Sequence, residues 1–245
     1  MTMGFRVLES TMFAFLFPHS EKEPGPGAGL AELMGYGKRR LFAGKAKAAA
    51  RAFERAAEAA PADPLPLAYR SWAGRLEDKA RAVVDAEKAV GLDPDCAEAH
   101  MSLALALVTG APNFELAGMA LSEGRKLPPA DADGAVLAIG VYLLFADALA
   151  SLKDDEEDLT FAFKATPLRD AADQLLSGRQ AAAFAAFKKI FLSGREAAGG
   201  LGIAAAAWAM RDKESARTFA TLTADSGVLK EPGLLAAVRA VQKAS

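Results

Sequence analysis

Residues 88–94 read Lys88-Ala89-Val90-Gly91-Leu92-Asp93-Pro94, the end of an alanine-rich helical stretch stopped by a proline. Two more alanine-rich stretches stop in the same way, at Pro61 and Pro129, so the stops lie 33 (94−61) and 35 (129−94) residues apart. Proline has no backbone N–H and its ring obstructs the preceding turn, which suits it to the end of a helix. A helical period near 34 residues describes helix pairs that stack, each burying its apolar face on the next. No stretch shows convincing period-two alternation and β-branched residues are sparse, so the fold class expected is all-α.

The period divides the chain into units. The first spans 30–63, the second 64–96 and the third 97–131, and a fourth first-helix follows at about 132–150. Ahead of them, residues 1–29 form an arm and a linker rich in proline and glycine (Pro24-Gly25-Pro26-Gly27). The acidic run Asp154-Asp155-Glu156-Glu157-Asp158 interrupts the register, giving an irregular connection over 153–169 between repeats at 30–152 and weaker ones at 170–245. A last helix, from about Leu234 to Lys243, would cap the stack.

Within the first unit Leu33, Tyr36 and Gly37 precede Ala49, Phe53, Ala56 and Pro61. Ala82, Ala86, Ala89 and Pro94 hold the same register in the second, and Ala97-Glu98-Ala99-His100 with Leu103-Ala104 opens the third. These patterns resemble the tetratricopeptide repeat, well over 30–145 and in degraded form over 170–245, through Gly178, Ala183, Phe187, Leu201, Gly202 and Ala216. Leu33, Tyr36 and Arg40 stand where the family usually has tryptophan, leucine and tyrosine. The resemblance implies a right-handed α-solenoid of about five or six helix–turn–helix pairs with a C-terminal capping helix.

Composition removes several functions. The 245 residues are 52% hydrophobic and 24% charged with a net charge of −2, which argues against a general nucleic-acid binder. One cysteine, Cys96, rules out an internal disulfide and a paired-cysteine zinc site. His19 and His100 are the only histidines, no nucleophile–base–acid set stands at a suggestive spacing, and neither a metal, a cofactor nor a catalytic residue is expected. Gly200-Leu201-Gly202-Ile203-Ala204-Ala205 satisfies a loose dinucleotide fingerprint, but the preceding residues are not strand-like. Thr11-Met12-Phe13-Ala14-Phe15-Leu16-Phe17-Pro18 is too short to cross a bilayer, which takes roughly 20 residues, and no transmembrane segment or secretory signal is expected.

In tetratricopeptide arrays the first helices line a concave groove. Carried over, the groove positions give Met34, Lys38 and Leu41, then Trp72 and Arg75, then Met101, Leu105 and Val108. Ala68, Val136 and Leu143 complete a lining that is mostly apolar, with Trp72 at its centre as an anchor. The lysine, asparagine and arginine that clamp acidic chaperone tails are missing: those positions hold Met34, Lys38, Tyr69, Glu98 and Ser102. The resemblance therefore implies a non-catalytic, cytoplasmic, bacterial-type adaptor or scaffold that takes a protein or peptide segment in its groove. Two alternatives stand beside it, a secretion or assembly chaperone for one client, and a self-assembling protein whose residues 1–27 enter a neighbour to form a homo-oligomer.

Overall fold

Asp63 and Pro64 show how the helices begin. The carboxylate accepts the Leu65 N–H at 2.9 Å, and the proline sits in the first turn, where its missing donor costs nothing. Thr166 and Pro167 repeat the device, and Asp78, Asn113 and Asp212 cap three other helices through their side chains. The computed structural model describes residues 22–109, 113–151 and 165–245, and among them the chain forms twelve helices and no strand. They are α1 (Leu30–Phe42), α2 (Ala46–Ala59), α3 (Pro64–Gly74), α4 (Lys79–Leu92), α5 (Ala97–Thr109), α6 (Phe114–Gly124), α7 (Ala132–Ser151), α8 (Pro167–Leu176), α9 (Gln180–Leu192), α10 (Glu196–Ala209), α11 (Lys213–Asp225) and α12 (Pro232–Ala244). The arm at Thr11–Pro18 and the acidic run at Asp154–Asp158 lie outside the described residues.

Neighbouring helices pack in chain order, as a helical repeat requires. Four hairpins turn through one device. At Ala43-Gly44-Lys45 the glycine takes φ +69°, its N–H donates to Leu41 O, and the Lys45 N–H donates to Arg40 O. Ser177-Gly178-Arg179 and Ser193-Gly194-Arg195 repeat both bonds and the positive φ. This arrangement satisfies two of the carbonyls that a helix end leaves free. Met210-Arg211-Asp212 makes the same pair of bonds with Arg211 at φ +65°, the one described residue other than glycine at a positive φ.

Two helices are apolar on every side, and such helices must be covered all round. In α7, Ala135, Val136, Leu137, Ile139, Val141, Leu143 and Phe145 are all buried, and the helix packs on α5, α6, α8, α10 and α12. In α10 every residue from Gly199 to Ala209 is buried. A Cβ on Gly202 would lie 2.2 Å from the Phe187 ring, so only glycine lets α9 and α10 approach so closely. Gly37 and the Phe53 ring meet in the same way between α1 and α2. The Gly200–Ala205 stretch is therefore the interior of a buried helix that follows another helix, with no strand and no exposed N–H groups to cradle a phosphate.

These two helices decide what becomes of the inner side. An open array would leave it to solvent, whereas here one core cluster runs from Leu41 and Trp72 through α7 to Val241 in α12. The 43–45 turn abuts the 177–179 turn, where a Cβ on Gly178 would come within 2.5 Å of Gly44 Cα and 2.7 Å of Leu41 O. The chain closes on itself because α7 and α10 have no polar face to offer water. Among the described residues no helix is long and apolar enough to cross a membrane.

Candidate functional site

α1, α3 and α5 carry the residues expected to line a groove, and all eight turn toward the protein's interior. Trp72 is 1% exposed, Arg75 3% and Lys38 8%, while Leu41, Met101 and Leu105 are equally buried. Met34 and Val108 are half-buried against the edge of the same cluster. The face they form is covered by the chain itself. This departs from an open groove: α7 packs on α5, and the end of α8 meets Trp72 and Arg75 of α3.

Trp72 makes the most specific contact. Its indole N–H donates to Leu176 O at 2.8 Å, at the C-terminal end of α8 and 104 residues away. The ring stacks on Tyr69 at 5.9 Å and meets Phe42 edge-on at 5.9 Å. One turn further, Arg75 donates to Ser177 Oγ at 3.0 Å and to Trp72 O at 3.1 Å, with Asp173 at 4.0 Å. The pair thus caps a helix end, where free carbonyls and the negative pole of the helix favour a donor and a cation. Burial brings the Arg75 guanidinium down to about 10, with Asp173 working the other way.

A second polar knot joins α1 to the ends of α7 and α10. Lys38 reaches Asp131 at 2.5 Å and Asp133 at 4.0 Å, and its ammonium lies 4.8 Å from the centre of the Tyr69 ring. Asp133 accepts from Trp208 Nε1 at 2.9 Å and Arg211 at 3.4 Å, and Arg211 also lies over the Phe42 ring. The left-handed backbone at Arg211, φ +65°, costs about 1–2 kcal/mol. Burial would raise the Asp131 carboxyl, but Lys38 and the N–H groups of residues 133 and 134 outweigh it and hold it below its ordinary range.

Behind the knot lie Glu98, Cys96 and the Tyr69 hydroxyl. Glu98 is 2% exposed and accepts the Ala130 N–H at 2.7 Å, and the Cys96 thiol donates to its other oxygen at 3.8 Å. Burial raises the Glu98 carboxyl. Burial and Glu98 together push the Cys96 thiol up to about 12, the opposite of what a nucleophile needs. The Tyr69 hydroxyl, raised well above its ordinary value first by burial and then by Asp131 and Glu98, finds no hydrogen-bond partner among the described residues. His100, half-buried, bonds through Nε2 to Pro94 O at 2.8 Å.

Two of the open clefts among the described residues lie elsewhere. One of about 290 Å³ between α2, α3 and α4 is lined by charges that satisfy one another: Arg70 holds Asp85 through two bonds at 2.5 and 2.7 Å, and Arg81 holds Glu54 at 2.5 Å. The other, of about 310 Å³, lies between α7, α10 and the link into α12, with Tyr142, Arg195, Leu229, Lys230 and Glu231 on its walls. Among the described residues no group of three His, Cys, Asp or Glu side chains is placed to hold a metal ion.

The sequence reading missed Asp131 and Asp133, which meet Lys38 from 93 and 95 positions further along, Asp173 and Ser177, which meet Arg75 from 98 and 102, and Trp208 and Arg211, which join through Asp133. One signal was available. Gly44-Lys45, Gly178-Arg179 and Gly194-Arg195 repeat a glycine–cation pair at three of the four turns, including both that meet. Comparison with protein-family models finds none that matches the chain, and comparison with curated proteins finds none that is similar.

Proposed function

We propose that this chain is a non-catalytic adaptor of the tetratricopeptide type, a right-handed solenoid in which α1, α3 and α5 take a segment of a partner protein. The observation that carries the reading is the indole N–H of Trp72 on the Leu176 carbonyl, with Arg75 beside it. An aromatic donor and a buried cation, placed side by side on stacked helices, already recognise polypeptide here. On this reading the adaptor works in the cytoplasm and holds its partner through burial and a few directed bonds.

The test is site-specific crosslinking. Met34 and Val108 are the two groove positions that stay half-exposed, so a photoreactive residue can stand there without disturbing the core. Val84 and Leu222, both exposed on other faces, are the controls. The expected result is one recurring protein partner captured through Met34 and Val108 but not through Val84 or Leu222. Capture through the control positions alone, or through none, rejects the reading. A second copy of the chain, captured through residues 1–27, would instead favour self-assembly.

A further inference from the structure

We infer that the contact of the 43–45 and 177–179 turns is a latch that holds the inner face shut, and that the partner opening it presents a helix C-terminal end like that of α8. This rests on the inner-face reading above and deepens it, since a face buried under its own chain binds nothing until the cover moves.

Three observations carry the inference. The first is the narrowness of the contact. α1 and α3 share no broad packing with α8; they meet it through two glycine turns, the Trp72 N–H and the Arg75 guanidinium. The seams that α7 makes with α8, α10 and α12 are broad by comparison. The second is where hydrogen bonding fails. Two buried side-chain oxygens, those of Gln174 and Gln180, find no partner among the described residues, and they flank the 177–179 turn on α8 and α9. A permanent core satisfies its polar groups, whereas a contact that opens returns them to water. The third is charge: Arg75 is buried on this face, and its partners Asp173 and Ser177 are both partly exposed.

The occupant defines the partner's chemistry. α8 ends Asp173-Gln174-Leu175-Leu176-Ser177, offering free carbonyls to Trp72, a carboxylate and a hydroxyl to Arg75, and leucines to the core. A partner helix with an acidic residue one turn before a leucine pair and a free end offers the same groups. Its affinity for the closed protein is its intrinsic affinity multiplied by the fraction of molecules that are open.

The experiment uses the full chain and a labelled peptide of residues 165–178. Gly178→Val opens the latch from the α8 side, because its Cβ cannot coexist with Gly44 and its φ of +74° is strained for valine. The double change Asp173→Asn with Ser177→Ala weakens it without backbone strain and decides the matter if Gly178→Val does not fold. Both proteins should bind the peptide about tenfold or more tightly than the unaltered chain, and adding Trp72→Phe should cancel most of that gain. Amides at 41–45 and 174–179 should exchange faster in both, while those of α10 stay protected. Equal binding by all proteins, or seam exchange that rises only together with α10, overturns the latch. An open latch that takes the peptide while Met34 and Val108 capture nothing upholds the latch and removes the adaptor reading. A partner captured there with seam amides as protected as those of α10 does the reverse.

Discussion

Trp72→Phe isolates a single hydrogen bond. Phenylalanine keeps the aromatic packing against Tyr69 and Phe42 but removes the N–H that reaches Leu176 O at 2.8 Å. A buried carbonyl left without its donor costs about 1–3 kcal/mol. The smaller ring leaves a void in a site that is 1% exposed, adding about 1 kcal/mol. The sum is about 2–4 kcal/mol, and at this chain length each kcal/mol moves Tm by about 2–4 °C, so a fall of about 4–16 °C is expected. Trp208→Phe is the internal control. Its N–H donates to Asp133, which keeps Arg211 at 3.4 Å and Lys38 at 4.0 Å when the indole is gone. Thermal melts followed by far-UV circular dichroism should show the Trp208 change costing less than half as much. Equal losses, or a fall under about 2 °C for Trp72→Phe, would refute the capping argument.

Gly202→Ala should destabilise by about 1–2 kcal/mol, because the Phe187 ring 2.2 Å from the new Cβ outweighs alanine's gain in helix propensity; Gly91→Ala, with nothing within 4 Å, should stabilise by about 0.5 kcal/mol. Denaturant titrations compare the pair, and a shared sign would reject the reasoning. Glu98→Gln tests the buried carboxyl. Burial raises its native pKa above the unfolded one, so its ionisation lowers stability as pH climbs from the unfolded value through the native one. The advantage of the glutamine protein should therefore widen as pH rises above about 4, and a constant gap contradicts it. Cys96, with its thiol pushed up to about 12, should react with a disulfide reagent at about pH 8 at least about a hundredfold more slowly when native than in denaturant. Comparable rates would mean that the thiol is not held as described.

Helix limits were legible because they depend on local chemistry. Pro61 and Pro94 each stand two residues beyond a helix, and Asp63-Pro64 opens the next as capping chemistry dictates. Pro129 follows α6 by five residues, since Gly124 ends that helix first. That Trp72, Arg75, Met101 and Leu105 share one face was legible too, but that face was expected as an open groove and all four are buried under the chain itself. What covers that face was not. Periodicity records that Trp72 seeks an apolar neighbour and is silent on whether Leu176 or another chain supplies it. The uninterrupted apolar runs of α7 and α10 were the usable sign, since a helix with no polar stripe must be enclosed. Lys38 and Asp131 stand 93 residues apart, a pairing that no spacing rule reaches.

Arrays that lean only on adjacent units grow by duplication, because an added hairpin leaves its neighbours' contacts intact. α7 removes that freedom here. It is braced by α5 on one side and by α8, α10 and α12 on the other, and the first hairpin returns to touch the end of α8. One more hairpin between α2 and α5 would carry Gly44 away from Gly178 by at least about one helix width, roughly 8–10 Å. An inserted hairpin would therefore break the contact of the two turns.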